Sequence, residues 1–329
     1  MRRALVLVVV LAALLAPAVL AQRNPIRSEM RPDDAPLVDI RSPEILAKIE
    51  AMRAEIKANG WTFEVGPNPA MEYDLETICG RREELLPLEA HEFDYAPDGL
   101  VASAMATLPT RYIGRFTSPR DQGQCGSCWA FATIDETETA VLTKRGAKLG
   151  TATATSVTPS ATTPDLSEEY VLSCNPYRYS CSGGNVAFGM LVTPKGAIPE
   201  SCFPYVAKKK TCSYCSSPTL TPLASWGYLT SDTTSPTTDA IKQAIYTYGA
   251  VSAYIYADSL FQAYTGGVFN DTKKYSSTNH AIQLVGWDDA TGAWLLKNSW
   301  GTSWGINGFM WIKYGSVRVG EGAAWAVAK

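Results

Sequence analysis

The segment "QGQCGSCWAF", Gln122 to Phe131, sets Cys125 and Cys128 three positions apart. Two cysteines at that spacing serve three kinds of chemistry: a dithiol redox pair, half of a zinc site, or two thiols with unrelated tasks. A second such pair, Cys212 and Cys215, stands too far downstream for zinc ribbons, whose pairs lie roughly 15–20 residues apart. Histidine is also scarce, with only His91 and His280 in the chain. A thioredoxin-type motif requires a strand–helix–strand context that is missing here, and Trp129 follows the second cysteine rather than preceding the first. Neither a metal nor a cofactor is expected. Nucleophilic chemistry remains, because a thiolate is the reactive form and a helix N-terminus beside an imidazole stabilises it.

The imidazole must come from one of two histidines. His280 opens the strand-like run "HAIQLVGW", and "AWLLKNSWG" follows after "DDATG". The two runs read as a hairpin turning around Asp288 to Ala290, which sets His280 opposite Asn298. Directly opposed residues hold their Cβ atoms roughly 5 Å apart, and an amide there accepts the imidazole N–H and fixes the ring. Taken singly, His280 reads as a core-edge histidine and Asn298 as a turn residue. Paired across a hairpin, with a cysteine at a helix start, they point to catalysis.

Four segments, "QGQCGSCWAF", "CSGG", "NHAIQLVGW" and "KNSWGTSWGINGF", resemble the signature segments of the papain-like cysteine peptidases, in the family's order. The resemblance covers about residues 108–329. It implies an α+β fold of two domains, a helical left domain and an antiparallel, β-barrel-like right domain with the active-site cleft between them. It also implies that Cys128 is the nucleophile, His280 the general base and acid, and Asn298 the group that orients the imidazole. Gln122 matches the glutamine of the oxyanion hole, and Trp300 the indole that shields the His–Asn hydrogen bond. In papain the thiol pKa falls to about 3–4, so a strong depression is expected here. The implied reaction is endopeptidic hydrolysis through a thioester acyl-enzyme. No paired-histidine loop of the carboxydipeptidase kind is visible.

Further expectations follow from the resemblance. Cys125 pairs with Cys181, Cys174 pairs with Cys212 or Cys215, and Cys202 takes the one that remains. Cys79 falls in the presumed propeptide, which leaves seven cysteines after maturation, an odd number that flags one free thiol. Gly183 and Gly184 resemble the backbone that pairs with extended substrate, and Asn279 precedes the histidine. Val186, Thr278 and Ala326 would line a smallish, mostly apolar pocket for the side chain second from the scissile bond, implying a hydrophobic preference.

The elements that must position these groups are legible to different degrees. Arg2 and Arg3 precede the apolar run "ALVLVVVLAALLAPAVLA", broken by Pro17 and closed by the small residues Val19 and Ala21, which reads as a signal peptide over residues 1–21. Residues 22–107 are expected to form an inhibitory propeptide. Within it "SPEILAKIEAMRAEIKANG" is a punctuated helix, with Ser42 as cap, Pro43 at the first position and Gly60 as stop. "WTFEV" reads as a strand, and the tail toward Pro109 as extended. The peptidase region splits into a helical half, about 108–223, and a β-rich half, about 224–329. Cys128–Arg145 reads as a helix, "LSEEYVLSC" as another capped by Ser167, and "GTATATSVTPSATTP" (150–164) as a surface loop.

The 329 residues, 46% hydrophobic and 19% charged with net charge −3, are ordinary for a globular protein. Near-neutral charge offers no basis for nucleic-acid partners or, once a signal is removed, for membrane binding. The chain is therefore read as a secreted monomer (extracellular, periplasmic or lysosome-like). Its partners would be protein or peptide substrates and its own propeptide. Asn270-Asp271-Thr272 forms a glycosylation sequon.

Overall fold

A computed structural model describes residues 37–82 and 107–329. The expected leader, residues 83–106 and His91 lie outside the described residues. The helices are α1 (Pro43–Asn59), α2 (Leu75–Ile78), α3 (Cys128–Lys144), α4 (Glu168–Cys174), α5 (Thr238–Tyr248) and α6 (Ser259–Gln262). The strands are β1 (Thr62–Val65), β2 (Arg111–Ile113), β3 (Thr151–Ala152), β4 (Val157–Thr158), β5 (Leu223–Tyr228) and β6 (Val251–Ile255). They continue with β7 (Tyr264–Phe269), β8 (His280–Asp288), β9 (Ala293–Lys297), β10 (Phe309–Lys313) and β11 (Glu321–Ala328). Among the described residues no helix is long and apolar enough to cross a membrane.

Helix α1 begins and ends where its sequence says it should. Ser42 Oγ accepts the Ile45 N–H, and Gly60, at φ 65°, donates back to the carbonyls of Ile56 and Lys57. Ile45, Ile49 and Ile56 are buried in the large apolar core. Each such side chain contributes about 1.5–3 kcal/mol on leaving water. Strand β1 then pairs antiparallel with β7, Phe63 and Val65 pointing inward while Thr62 and Glu64 stay exposed. Phe63 meets Phe269 at a ring-centroid distance of 4.4 Å. The upstream region thus adds its own strand to the main sheet.

That sheet runs β1-β7-β10-β9-β8-β6-β11-β5, with β2 pairing β8 off the path. It is antiparallel except where β10 runs parallel to β7, and its strand path does not close on itself. A second apolar cluster gathers α3, α4 and the segment around Val186 to Leu191. Helix α3 is buried on every side, all residues from Cys128 to Leu142 included. Being central, it packs against β8, β11 and α4 together.

Two elements differ from the sequence reading. Residues 150–164 are not a bare surface loop: β3 and β4 pair there, and Ala152 and Val157 enter the core. Trp311 Nε1 donates to Thr153 O at 2.9 Å and Phe116 N to Ser160 Oγ at 3.1 Å, so tertiary contacts organise a polar stretch. Helix α5 lies within the half read as strands. Ile241, Ala244, Ile245 and Tyr248 are its buried face, and their spacing is helical.

Candidate active site

Cys128 is the first residue of α3 and is fully buried. The Cys125–Cys181 disulfide holds the loop in front of it, with Cα atoms 4.6 Å apart. Cys174 pairs with Cys212 and Cys202 with Cys215, which resolves the alternatives left open by the sequence. Cys79 and Cys128 are the free cysteines among the described residues. Trp129 belongs to the helix, and its Nε1 donates to Ser180 O at 3.3 Å, tying α3 to the segment that carries Gly183 and Gly184.

His280 is the first residue of β8. Its Nε2 lies 2.8 Å from Asn298 Oδ1, while Nδ1 is buried without a hydrogen-bond partner among the described residues. The hairpin does not oppose the two residues directly. The ladder pairs Asp288 with Ala293, and a bulge between Leu284 and Gly286 shifts it so that Gln283 faces Lys297. One further step sets Asn298 across from Ile282, two residues along the same face from His280. The bond is therefore diagonal, within reach because side chains at i and i+2 share a face. The Trp300 ring lies over the imidazole at 4.7 Å, and Phe261 meets the indole edge-on at 5.5 Å.

Gln122 is buried and triply held. Its Oε1 accepts from Ser299 Oγ at 2.7 Å, and Nε2 donates to Cys125 O at 2.6 Å and to Ile78 O at 2.9 Å. Tyr205 Oη donates to the Gln122 carbonyl at 2.8 Å and bonds Ser127 Oγ at 2.6 Å. Ser299 and Tyr205 were missed in the sequence. Ser299 adjoins Asn298 and was within sight, whereas no local signal marks Tyr205.

The segment leaving α2 crosses this site. Gly80 N donates to Cys128 Sγ at 3.3 Å. Gly184 N donates to Gly80 O at 2.8 Å, Arg82 N to Gly184 O at 3.0 Å, and Arg81 N to Asn279 O at 2.9 Å. Gly184 tolerates no Cβ, since one would lie 2.8 Å from the Trp129 ring, and Gly183, at φ 127°, would meet Gly80 O at 2.7 Å. Gly80 itself fits only without a side chain, because a Cβ would approach Gly126 O to 1.7 Å. Of the other expected subsite residues, Asn279 uses its side-chain amide to hold both backbone groups of Ala257, and Thr278 Oγ1 donates to buried Glu321. Val186 is buried near the site, while Ala326 faces Trp226 on the β5–β11 ladder.

Burial dominates the protonation of both reactive groups. It pushes the Cys128 thiol up, only partly offset by the backbone N–H groups of Ala281 and Gly80. His280 is held down to about 4 by desolvation, against the opposing effect of Asn298. In this covered form burial thus holds the Cys128 thiol above its ordinary range, whereas the sequence led to the expectation of a depressed thiol.

A sequence profile described as papain family cysteine protease matches residues 109–326. Gamete and mating-type specific protein A of Dictyostelium discoideum is 36% identical over 210 residues, covering 63% of this chain and 42% of that protein. Cathepsin K of Gallus gallus is 32% identical over 222 residues, covering 66% of this chain and 60% of the relative. The chain thus spans about two fifths to three fifths of the length of these curated relatives. Digestive procathepsin L 3 from the larval midgut of Tenebrio molitor superposes with a TM-score of 0.67 at 26% identity, covering 86% of this chain and 88% of that one. The profile takes in both walls of the cleft, and the procathepsin likeness extends upstream of it: the chain belongs to the papain family of cysteine proteases and is built with a propeptide.

Proposed function

We propose that this chain is a secreted cysteine endopeptidase made as a zymogen, with a signal peptide over residues 1–21, an inhibitory propeptide over 22–107 and the peptidase from 108. The observation that carries this reading is the placement of the crossing segment. It sets the Gly80 N–H on Cys128 Sγ and the Ile78 carbonyl on the Gln122 amide, so the thiol and the carbonyl-binding donor are both occupied by the chain's own backbone. Such a contact masks a nucleophile without offering it a carbonyl carbon to attack.

Once the segment leaves, water and substrate enter, and His280 takes the Cys128 proton. The thiolate adds to the scissile carbonyl, and the Gln122 amide with the Cys128 N–H meets the oxyanion. His280 returns the proton to the leaving amine as the C–N bond breaks, forming a thioester. A water deprotonated by His280 then hydrolyses the thioester, restoring the thiol. Asn298 holds the ring through Nε2, and Trp300 keeps water from that bond. Three disulfides suit an oxidising compartment, extracellular, periplasmic or lysosome-like.

The test is to activate the full-length protein by limited proteolysis, treat it with iodoacetamide and map the adduct while following casein hydrolysis. Alkylation at Cys128 in step with loss of hydrolysis is expected. Full hydrolysis in the Cys128→Ala variant would refute the assignment.

A further inference from the structure

Arg81 is the least expected occupant of the cleft. It is 1% exposed, and its guanidinium carbon sits 4.5 Å from the centroid of the Tyr254 ring. Arg81 Nη2 donates to Asp232 O at 3.1 Å. The Asp232 side chain belongs to the same enclosure: Asp232 and Arg81 act with opposite electrostatic sign on the phenols of Tyr179, Tyr228 and Tyr254. Tyr254 is itself fixed by a hydrogen bond from its hydroxyl to Asn185 Oδ1. A charge this deeply buried persists only where aromatic faces, acceptors and an opposite charge replace its water.

The place of this enclosure along the cleft is set by backbone pairing. Gly80 meets the Cys128 sulfur, and Arg81, the next residue, lies opposite Gly184. Gly184 offers both its N–H and its C=O there, so it can hold a peptide of either polarity. A substrate whose scissile carbonyl meets the sulfur puts its second residue from the scissile bond opposite Gly184, with its side chain toward Tyr254.

We propose that this pocket selects a basic side chain, arginine above all, at the second position from the scissile bond, with Tyr254 and Asp232 as its specificity-determining residues. The proposal rests on the peptidase reading and replaces the hydrophobic preference expected from Val186, Thr278 and Ala326. Leucine in the same pocket can neither donate to the Asp232 carbonyl, as Arg81 does, nor set a cation over the Tyr254 ring. Arg81 then acts as a resident mimic of the substrate side chain.

The test uses the full-length protein activated by limited proteolysis, its competent sites counted by iodoacetamide titration of Cys128. Fluorogenic peptides identical except for Arg, Lys, Leu or Phe at the second position are compared by kcat/KM. Arg is expected to exceed Leu by about tenfold or more. The Arg-to-Leu ratio should fall about fivefold or more in Asp232→Asn, and similarly in Tyr254→Leu, which lacks the aromatic face. Leu equal to or above Arg in the unaltered protein would overturn the pocket assignment and leave the peptidase reading intact. An unchanged ratio in both variants, each titrating normally, would overturn the roles of Asp232 and Tyr254. Normal Cys128 titration with no peptide cleaved would overturn the peptidase reading and this proposal with it.

Discussion

The backbone N–H of Gly80 points at the sulfur of Cys128 across 3.3 Å, from a segment 48 residues upstream. Burial also pushes the thiol pKa up, which disfavours the reactive thiolate in the covered form. Iodoacetamide at pH 7 should therefore alkylate Cys128 at least about tenfold faster in proteolytically activated protein than in the intact chain, read by mass mapping over time. Equal rates would show that the crossing segment does not mask the thiol.

Gly80→Ala should loosen that cover. Its added methyl would run into the Gly126 carbonyl, a backbone atom that cannot swing aside. The intact variant should hydrolyse peptide severalfold faster than the intact parent, while both activated forms perform alike. A silent variant would place the inhibitory contact elsewhere.

Acid should open the cover, and the sign follows from His280. Its folded pKa of about 4 lies below the ordinary 6.5, so the closed form binds fewer protons than an opened one. The closure is fully supported above about pH 6.5 and loses support as pH falls toward 4, by roughly 3 kcal/mol when complete. Hydrogen exchange of residues 75–82 in full-length Cys128→Ala, which cannot process itself, should speed up across that window. Adding His280→Gln should flatten the profile.

Global stability should move the other way through buried Glu138. Desolvation raises its pKa from 4.5 to about 7, beyond the opposing effect of Lys297. A raised acid contributes stability below pH 4.5 that is lost as pH rises through 7. The melting temperature of the full-length protein, measured at pH 5 and 7.5, should be higher at pH 5. In Glu138→Gln the difference should shrink, because Gln keeps an acceptor for the Leu166 N–H without titrating.

Ser299 positions Gln122 through a 2.7 Å hydrogen bond, so Ser299→Ala should let the amide turn. The activated variant should lose up to about tenfold in kcat with KM little changed, below the 10²–10³ typical of deleting an oxyanion donor outright. A change in KM alone would give Ser299 a substrate-binding role instead.

The elements that carry the candidate residues were legible in the sequence wherever residue type and local punctuation sufficed. Cys128 at a helix start, His280 at a strand start, Asn298 past the following strand and the Ser42–Gly60 helix are local patterns, and the structure builds each element where the pattern lies. Even there the direct opposition of His280 and Asn298 failed, because the turn is centred past Ala290, with Asp288 paired to Ala293, and the bulge between Leu284 and Gly286 recovers only part of that offset. The pairing of Cys174, Cys202, Cys212 and Cys215, the order imposed on residues 150–164 and the roles of Tyr205 and Arg81 depended on which distant surfaces meet. The sequence alone determined the reactive types and the elements that carry them, since these arise from contacts a few residues apart. Only the tertiary structure decided that Arg81 fills the cleft, because a buried guanidinium requires Tyr254 and Asp232 from strands and loops more than a hundred residues away.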